Sequence, residues 1–212
     1  MAIVLATNNP GKIAELQALL AGLAIEVLPQ SRFTPVAAAE TGLSFVENAI
    51  LKARHAARAS GLPSIADDSG IEVDALHGAP GIYSARYAGA DASDRDNLEK
   101  LLLELCDVPP TQRTARYRCA LAFMRWDLDP APIICQASWE GVLIAAPRGS
   151  GGFGYDPIFE VEPGVTVAEL SAREKNLRSH RGQALRLMAE QLRIEAPNFL
   201  ALRSSGRQPV AG

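Results

Sequence analysis

The apolar positions change their period several times along the chain, and each change predicts an element. Ala2 to Ala6 is an unbroken apolar run of strand length. From Pro10 onward, Ile13, Leu16, Leu19, Leu20 and Leu23 recur at helical spacing, with the proline suited to a first helical turn. A second strand is predicted over Glu26 to Leu28. Beyond the loop around Pro35, the box Ser44-x-x-Glu47 predicts a helix running to about Ser60, with Gly61 as its stop. Ile65 to Val73 reads as strand, turn, strand.

Ser93-x-x-Asp96 opens another predicted helix, with Leu98, Leu101, Leu102 and Leu105 facing a core and Pro109-Pro110 ending it. In Arg116 to Arg125, Tyr117, Cys119, Leu121 and Phe123 alternate with Arg116, Arg118, Ala120 and Ala122, the signature of a half-buried strand. Pro130 and Pro132 turn the chain into a second long strand near Ile133 to Ile144. Gly149 to Gly154 is a glycine loop, Ser171-x-x-Glu174 caps a further helical stretch, and a last helix near Arg181 to Arg193 carries Ala184, Leu185, Met188 and Leu192 on one side. The class is mixed α/β.

The length of 212 residues and a composition of 48% hydrophobic and 21% charged residues predict one globular domain over residues 1–203, with a flexible tail at 204–212. A net charge of −3 gives no global positive field, so polymeric nucleic acid is excluded as a partner and any polyanion must be small and held locally. Cys106, Cys119 and Cys135 have no metal-ligand spacing and read as reduced core residues. With no signal-peptide pattern and no apolar run of membrane-spanning length, a cytoplasmic protein with no membrane partner is expected.

Candidate chemistry collects at the element ends. Thr7, Asn8 and Lys12 lie where a strand turns into a helix, so a hydroxyl, an amide, backbone N–H groups and an ammonium converge on a spot suited to phosphate. The spacing fails the P-loop pattern, so taken alone the spot is better read as an N-cap followed by a solvent lysine. Lys52 falls within the helical stripe of Phe45, Ala49, Ala53 and Ala56, where it either snorkels past the small residues or reaches into a cleft, while Arg54 and Arg58 point elsewhere.

Asp67 and Asp68 sit side by side at the end of an apolar run. Alternation sends successive side chains of an extended segment to opposite faces, so only one is expected at a given site, and an Asx-turn before Ser69-Gly70 is the bland alternative. A carboxylate beside bound phosphates meets a hard cation, to which Glu40 adds another oxygen. Gly149 to Gly154 formally fits G-x-G-x-x-G, but Tyr155-Asp156-Pro157 follows where a helix is required, which rejects a dinucleotide fingerprint and leaves a glycine loop whose Phe153 and Tyr155 rings suit stacking on a base. Lys175, Ser179, His180 and Arg181 gather donors before the last helix, His55 and His77 read as exposed, and no histidine metal site or catalytic triad follows.

Taken in order, Thr7-Asn8-x-x-x-Lys12, Glu40-Thr41-Gly42, Glu47-Asn48-Ala49-x-x-Lys52-Ala53, Ala66-Asp67-Asp68-Ser69-Gly70, Pro80-Gly81-Ile82-Tyr83-Ser84-Ala85-Arg86-Tyr87, Gly151-Gly152-Phe153-Gly154-Tyr155-Asp156-Pro157 and Ser179-His180-Arg181 resemble the inosine triphosphate pyrophosphatase family over roughly residues 2–193. The resemblance implies an elongated mixed central sheet flanked by helices, in two lobes with the active-site cleft between them. It implies hydrolysis of inosine, deoxyinosine and xanthosine triphosphates to monophosphate and pyrophosphate, with magnesium, by a cytoplasmic homodimer that cleanses the nucleotide pool. Motif by motif, Thr7, Asn8, Asn9, Pro10, Gly11, Lys12 and Lys52 are implied to hold the triphosphate. Glu40 and Asp68 are implied to hold the metal, with Asp68 also acting on the water. Ser69 is implied to touch the nucleotide, Phe153, Gly154, Tyr155 and Asp156 the base and sugar, and Lys175, His180 and Arg181 the base. Two other readings stay open: a related enzyme for pyrimidine or methylated nucleotides, and a nucleotide-binding module without turnover.

Overall fold

A computed structural model describes residues 2–7, 10–20 and 25–204. Asn8, Asn9, Leu23 and the tail beyond Ser204 lie outside the described residues. Strand β1 (Ala2–Leu5) leads into helix α1 (Pro10–Leu19), and β2 (Glu26–Pro29) returns parallel to β1. Helix α2 (Phe45–Ser60) begins as its sequence requires: Ser44 Oγ accepts the Glu47 N–H at 3.2 Å, a cap contributing about 1 kcal/mol, and Gly61 closes the helix in the left-handed region. Helix α3 (Asp94–Glu104) and helix α4 (Ala172–Arg178) open on the capping boxes of Ser93 with Asp96 and Ser171 with Glu174.

Three long antiparallel strands, β3 (Ser64–Val73), β4 (Thr114–Met124) and β5 (Ile133–Leu143), form the centre of a seven-stranded sheet completed by β6 (Phe159–Glu162) and β7 (Val165–Thr166), in the order β2-β1-β3-β4-β5-β6-β7. The expected turn inside Ile65 to Val73 is absent: β3 runs through Ser69-Gly70 unbroken, paired residue for residue with β4. Gly70 is there for a close approach rather than a bend, since a Cβ on it would lie 2.3 Å from the Gly81 carbonyl oxygen.

Each long strand serves two cores. Near one end, Ile65, Cys119, Leu121 and Phe123 pack under α1 and helix α5 (His180–Ser204), while on the other face Ala66, Ala120 and Ala122 meet Ala49 and Ala53 of α2. Near the other end, Ile71, Tyr117 and Trp139 join Leu98 and Leu101 of α3 and Phe159 of β6. The two lobes are thus built on shared strands, and the stretch Asp67 to Gly70 falls between their cores, which bears out the elongated two-lobed α/β sheet.

Smaller expectations are corrected by packing. The last helix extends to Ser204 rather than ending near Arg193, with Ala184, Leu185, Met188 and Leu192 buried as expected. Strand β4 is buried on both faces over its second half because α2 covers the alanine side. Cys119 and Cys135 are buried, whereas Cys106, just after α3, is exposed. His77 is exposed, but His55 is half-buried and its Nε2 donates to the Val36 carbonyl at 2.8 Å.

Candidate active site

The cleft between the lobes has a volume of about 610 Å³, within the range of small-molecule sites. Lys12, Lys52, Asp67, Asp68, Ser69, Phe153, Gly154, Tyr155, Asp156, Lys175, His180 and Arg181 of the sequence candidates line it, together with Glu40. Thr7 follows β1, and Pro10 and Gly11 open α1 just ahead of Lys12. Asn8 and Asn9 lie outside the described residues.

Both aspartates face the cleft, against the expectation that only one would. The reason lies in the neighbouring strand. Pairing of β1 with β3 stops at Leu5 with Ile65, so beyond that point the edge of β3 is open and the cleft wraps around it, reaching both faces. On the face toward α5, Asp67 takes Lys12 Nζ on both oxygens, at 3.0 and 2.8 Å, and Arg181 Nε at 3.2 Å. On the face toward α2, Asp68 Oδ1 takes Lys52 Nζ at 2.7 Å, and Ala120 beside it leaves room.

Lys52 does not snorkel. Its ammonium reaches into the cleft and is held by Asp68 and by Glu40 Oε1 at 2.9 Å. One turn earlier on the same helical face, the fully buried Asn48 accepts the Gly42 N–H at 2.9 Å and directs Nδ2 to Asp68 Oδ2 at 3.4 Å, fixing the Glu40 loop and the aspartate together. Sequence reasoning gave Asn48 no role, although the spacing of four residues to Lys52 already places both on one side of the helix.

Environment separates the adjacent carboxyls. Burial acts to raise Asp67, but Lys12 and Arg181 outweigh it and hold the group well below the usual carboxylate range. For Asp68, burial outweighs the attraction of Lys52 and the pKa is raised. Lys52 is raised despite burial by Asp68 and Glu40, and Glu40 is lowered despite burial by Lys52 and Arg86. Two carboxyls pushed in opposite directions mark different tasks, and Asp68 is the more basic of the two.

At the far end, Asp156 is the hub. Its Oδ1 accepts the Tyr117 hydroxyl at 3.0 Å, and its Oδ2 accepts Lys175 Nζ and the Phe153 N–H, the latter at 2.9 Å. Gly152 must be glycine, because φ is +74° and a Cβ would lie 2.0 Å from Asp156 Oδ2. His180 stacks on Tyr117 with ring centroids 4.8 Å apart. Burial, with the Arg181 and Lys175 charges, pushes its pKa down to about 3, so the ring is neutral, and its buried Nδ1 has no hydrogen-bond partner among the described residues. The Lys175 ammonium lies 4.2 Å from the centroid of the Phe153 ring, which is 59% exposed. Tyr155 is buried and donates to the Ser84 carbonyl at 2.8 Å, so it supports the loop rather than offering a ring for stacking.

Glu40 and Asp68 also fit a divalent cation. Their oxygens converge on one position, taken by the Lys52 ammonium, and no group of three His, Cys, Asp or Glu ligands exists among the described residues. A small hard cation held by one or two carboxylates and completed by phosphate oxygens suits that donor set.

A cleft between α/β lobes, with cations and carboxylates at one end and rings and buried donors at the other, defines a protein that binds a small anionic ligand carrying a ring. The chain belongs to the Ham1 family, whose model matches residues 3–191. It is 61% identical over 192 residues to a dITP/XTP pyrophosphatase of Pectobacterium atrosepticum and 55% identical over 192 residues to that of Escherichia coli (strain K12), each match covering 90% of this chain and 98% of the relative. Among solved structures, a HAM1 protein from Coxiella burnetii is 49% identical with a TM-score of 0.87, covering 91% of this chain and 98% of that one. The Staphylococcus aureus Ham1 protein is 41% identical with a TM-score of 0.84, covering 92% of this chain and all of that one.

Proposed function

We propose that the protein is a nucleoside triphosphate pyrophosphatase acting on non-standard purine nucleotides, the deoxyinosine and xanthosine triphosphates named for its relatives together with inosine triphosphate. One observation carries the reading. Glu40 and Asp68 converge on Lys52 in a cleft that Lys12 and Arg181 also line, and the same cleft ends on His180 and Lys175. A phosphate chain and a ring each find a matching end.

In this reading Lys12 and Lys52 hold the triphosphate, with Thr7 to Gly11 presenting the start of α1 to it. Asp68 orients a water in line with the α-phosphorus and accepts its proton. The oxygen–phosphorus bond forms, the bond from the α-phosphorus to the bridging oxygen breaks, and the electron pair leaves with pyrophosphate. Glu40 and Asp68 are the residues that would hold magnesium, whose chemistry when bound is neutralisation of phosphate charge and acidification of water. The ammoniums contribute by lying where charge grows on the leaving group.

The other end selects the base. Lys175 or Arg181 donates to a 6-oxo group, and His180 Nδ1, buried without a partner among the described residues, gains one. An amino group in place of the oxo group leaves the donor unpaired, the kind of mismatch that discriminates by roughly 10⁴–10⁵. Ser69, whose Oγ accepts from Arg181 at 2.9 Å, lies between the two ends. We further propose that the protein acts as a cytoplasmic homodimer of single-domain chains, the domain reaching Ser204 at the end of α5 rather than stopping at 203, with a tail after it. No helix among the described residues is long and apolar enough to cross a membrane.

The test is a panel of inosine, deoxyinosine, xanthosine, adenosine, deoxyuridine and methylated triphosphates with product identification. Pyrophosphate from the first three is the expected result. Orthophosphate as first product, or faster turnover of deoxyuridine or methylated forms, overturns it.

A further inference from the structure

The 3-10 turn Gly81–Arg86 has no part in the chemistry so far, yet it ends on a guanidinium that lines the cleft. Its placement is over-determined. The turn packs directly on β3 at Gly70, two residues past Asp68, where a Cβ would lie 2.5 Å from Ser84 Oγ. Ser84 Oγ accepts the Ile71 N–H at 2.9 Å and donates to the Gly81 carbonyl at 2.6 Å. Tyr155 fixes the Ser84 carbonyl, and Asn97, 1% exposed, donates to the Ala85 carbonyl at 3.2 Å and accepts the Ala88 N–H at 2.7 Å. Backbone is therefore held on both sides of Arg86.

Arg86 Nη1 donates to Glu40 Oε2 at 3.0 Å, the carboxylate whose other oxygen takes Lys52. The guanidinium carbon lies 5.4 Å from the centroid of the Tyr83 ring, its remaining donors have no hydrogen-bond partner among the described residues, and the side chain is 34% exposed. Charge balance gives the arrangement a purpose. With Arg181 counted at the base end that it reads, Lys12, Lys52 and Arg86 match Glu40, Asp67 and Asp68 one for one, and without Arg86 the carboxylates outnumber the cations by one. An excess of carboxylates opposes a triphosphate, whose charge grows on the diphosphate as the bond from the α-phosphorus to the bridging oxygen breaks. A guanidinium fork suits that diphosphate better than another ammonium.

We propose that Arg86 is a catalytic residue of the phosphate clamp, exchanging Glu40 for oxygens of the phosphates that leave as pyrophosphate. The proposal rests on the pyrophosphatase reading above and adds a residue to it. The electron pair of the broken bond stays with pyrophosphate, and Arg86 neutralises it without gaining or losing a proton.

The experiment uses the full chain with Arg86→Gln and Arg86→Lys, titrated calorimetrically with pyrophosphate and with inosine monophosphate in the presence of magnesium, beside kcat/KM for deoxyinosine triphosphate. Arg86→Gln is expected to weaken pyrophosphate about tenfold or more and leave inosine monophosphate within about twofold. Its kcat/KM is expected to fall roughly 10²-fold, with Arg86→Lys intermediate. Pyrophosphate bound as tightly as by wild type overturns the proposal, and so does equal weakening of both ligands, which makes Arg86 a brace for Glu40. Should Arg86→Gln fail to fold, Arg86→Lys decides, because an ammonium cannot make the fork and unchanged pyrophosphate affinity then overturns the assignment. Wild-type protein that releases no pyrophosphate sinks the parent reading instead, a result separable from any effect of Arg86.

Discussion

The two ends of the cleft are built on different electrostatic plans. At the phosphate end the partners are shared: Lys52 serves Glu40 and Asp68, Glu40 serves Lys52 and Arg86, and Asp67 serves Lys12 and Arg181. At the base end, Asp156 is 2% exposed and holds Lys175, Tyr117 and the Phe153 N–H at once, with His180 stacked behind. Carboxylates and cations that each serve several partners exchange them readily when phosphates and a dication arrive, whereas a network gathered on one carboxylate keeps its geometry. Charge neutralisation tolerates rearrangement, but reading an acceptor on a ring does not, which is why rigidity is concentrated at the second end.

The comparison breaks most visibly at Asp68. Asp68→Asn keeps the shape but loses the base, and turnover measured as pyrophosphate release is expected to fall on the order of 10³-fold while equilibrium binding of nucleotide survives. Normal turnover would remove Asp68 from the chemistry. Lys52→Met is expected to lower kcat/KM about 10²-fold through weaker triphosphate capture, with inosine monophosphate affinity kept. Equal loss for both ligands would show that the ammonium holds the whole cleft together rather than the phosphates.

Asp156→Asn tests the other plan. Asn preserves size and can still accept from Tyr117, but it removes the charge that orients Lys175. The ratio of inosine to adenosine triphosphate turnover is expected to fall by roughly tenfold, with the phosphate end untouched. An unchanged ratio with a lower rate would mean that Lys175 does not read the base.

Much of this was legible in the sequence because local chemistry decided it. Ser44, Ser93 and Ser171 cap helices as their boxes require, and the stripe beside Lys52 put its ammonium on the side that meets β3. What sequence could not supply was set by neighbours distant along the chain. Alternation separates Asp67 from Asp68, and only the early end of β1 lets one cleft reach both. Ser69-Gly70 looks like a turn, yet the glycine is needed for the approach of Gly81. Tyr117 reads as one more core residue of an alternating strand, and its support of His180 appears only when α5 lies across β4. Arg86 sits in a 3-10 turn that follows neither a period of two nor one of 3.6, so pattern alone gave it no direction.

The rigid end leaves a signature in stability. His180 has its pKa pushed down to about 3 in the fold, while an unfolded chain protonates near 6.5. Below that value the unfolded state binds a proton that the native state refuses, so stability is lost as pH falls through 6.5 toward 3. Between pH 7 and 5 the loss from this one group is about 2 kcal/mol. Urea unfolding of wild type and His180→Gln at both pH values checks it: the variant is expected to show a shallower decline, and an identical decline would place His180 outside the buried stack.

The smallest effect expected is at the rim. Phe153 is 59% exposed and presents its ring to Lys175 at 4.2 Å, a cation–π contact of about 0.5–1 kcal/mol at such a site. Asp156 already fixes the ammonium, so Phe153→Ala removes the ring's share and any surface it offers to a base, but not the anchor. KM for inosine triphosphate is expected to rise a few-fold, about what that contact energy converts to, with kcat and the inosine preference nearly unchanged. A loss of preference as large as that of Asp156→Asn would shift the reading of the base from the buried network to the loop, and the contrast between a rigid end and an exchangeable one would then have to be redrawn with the glycine loop as the selective element.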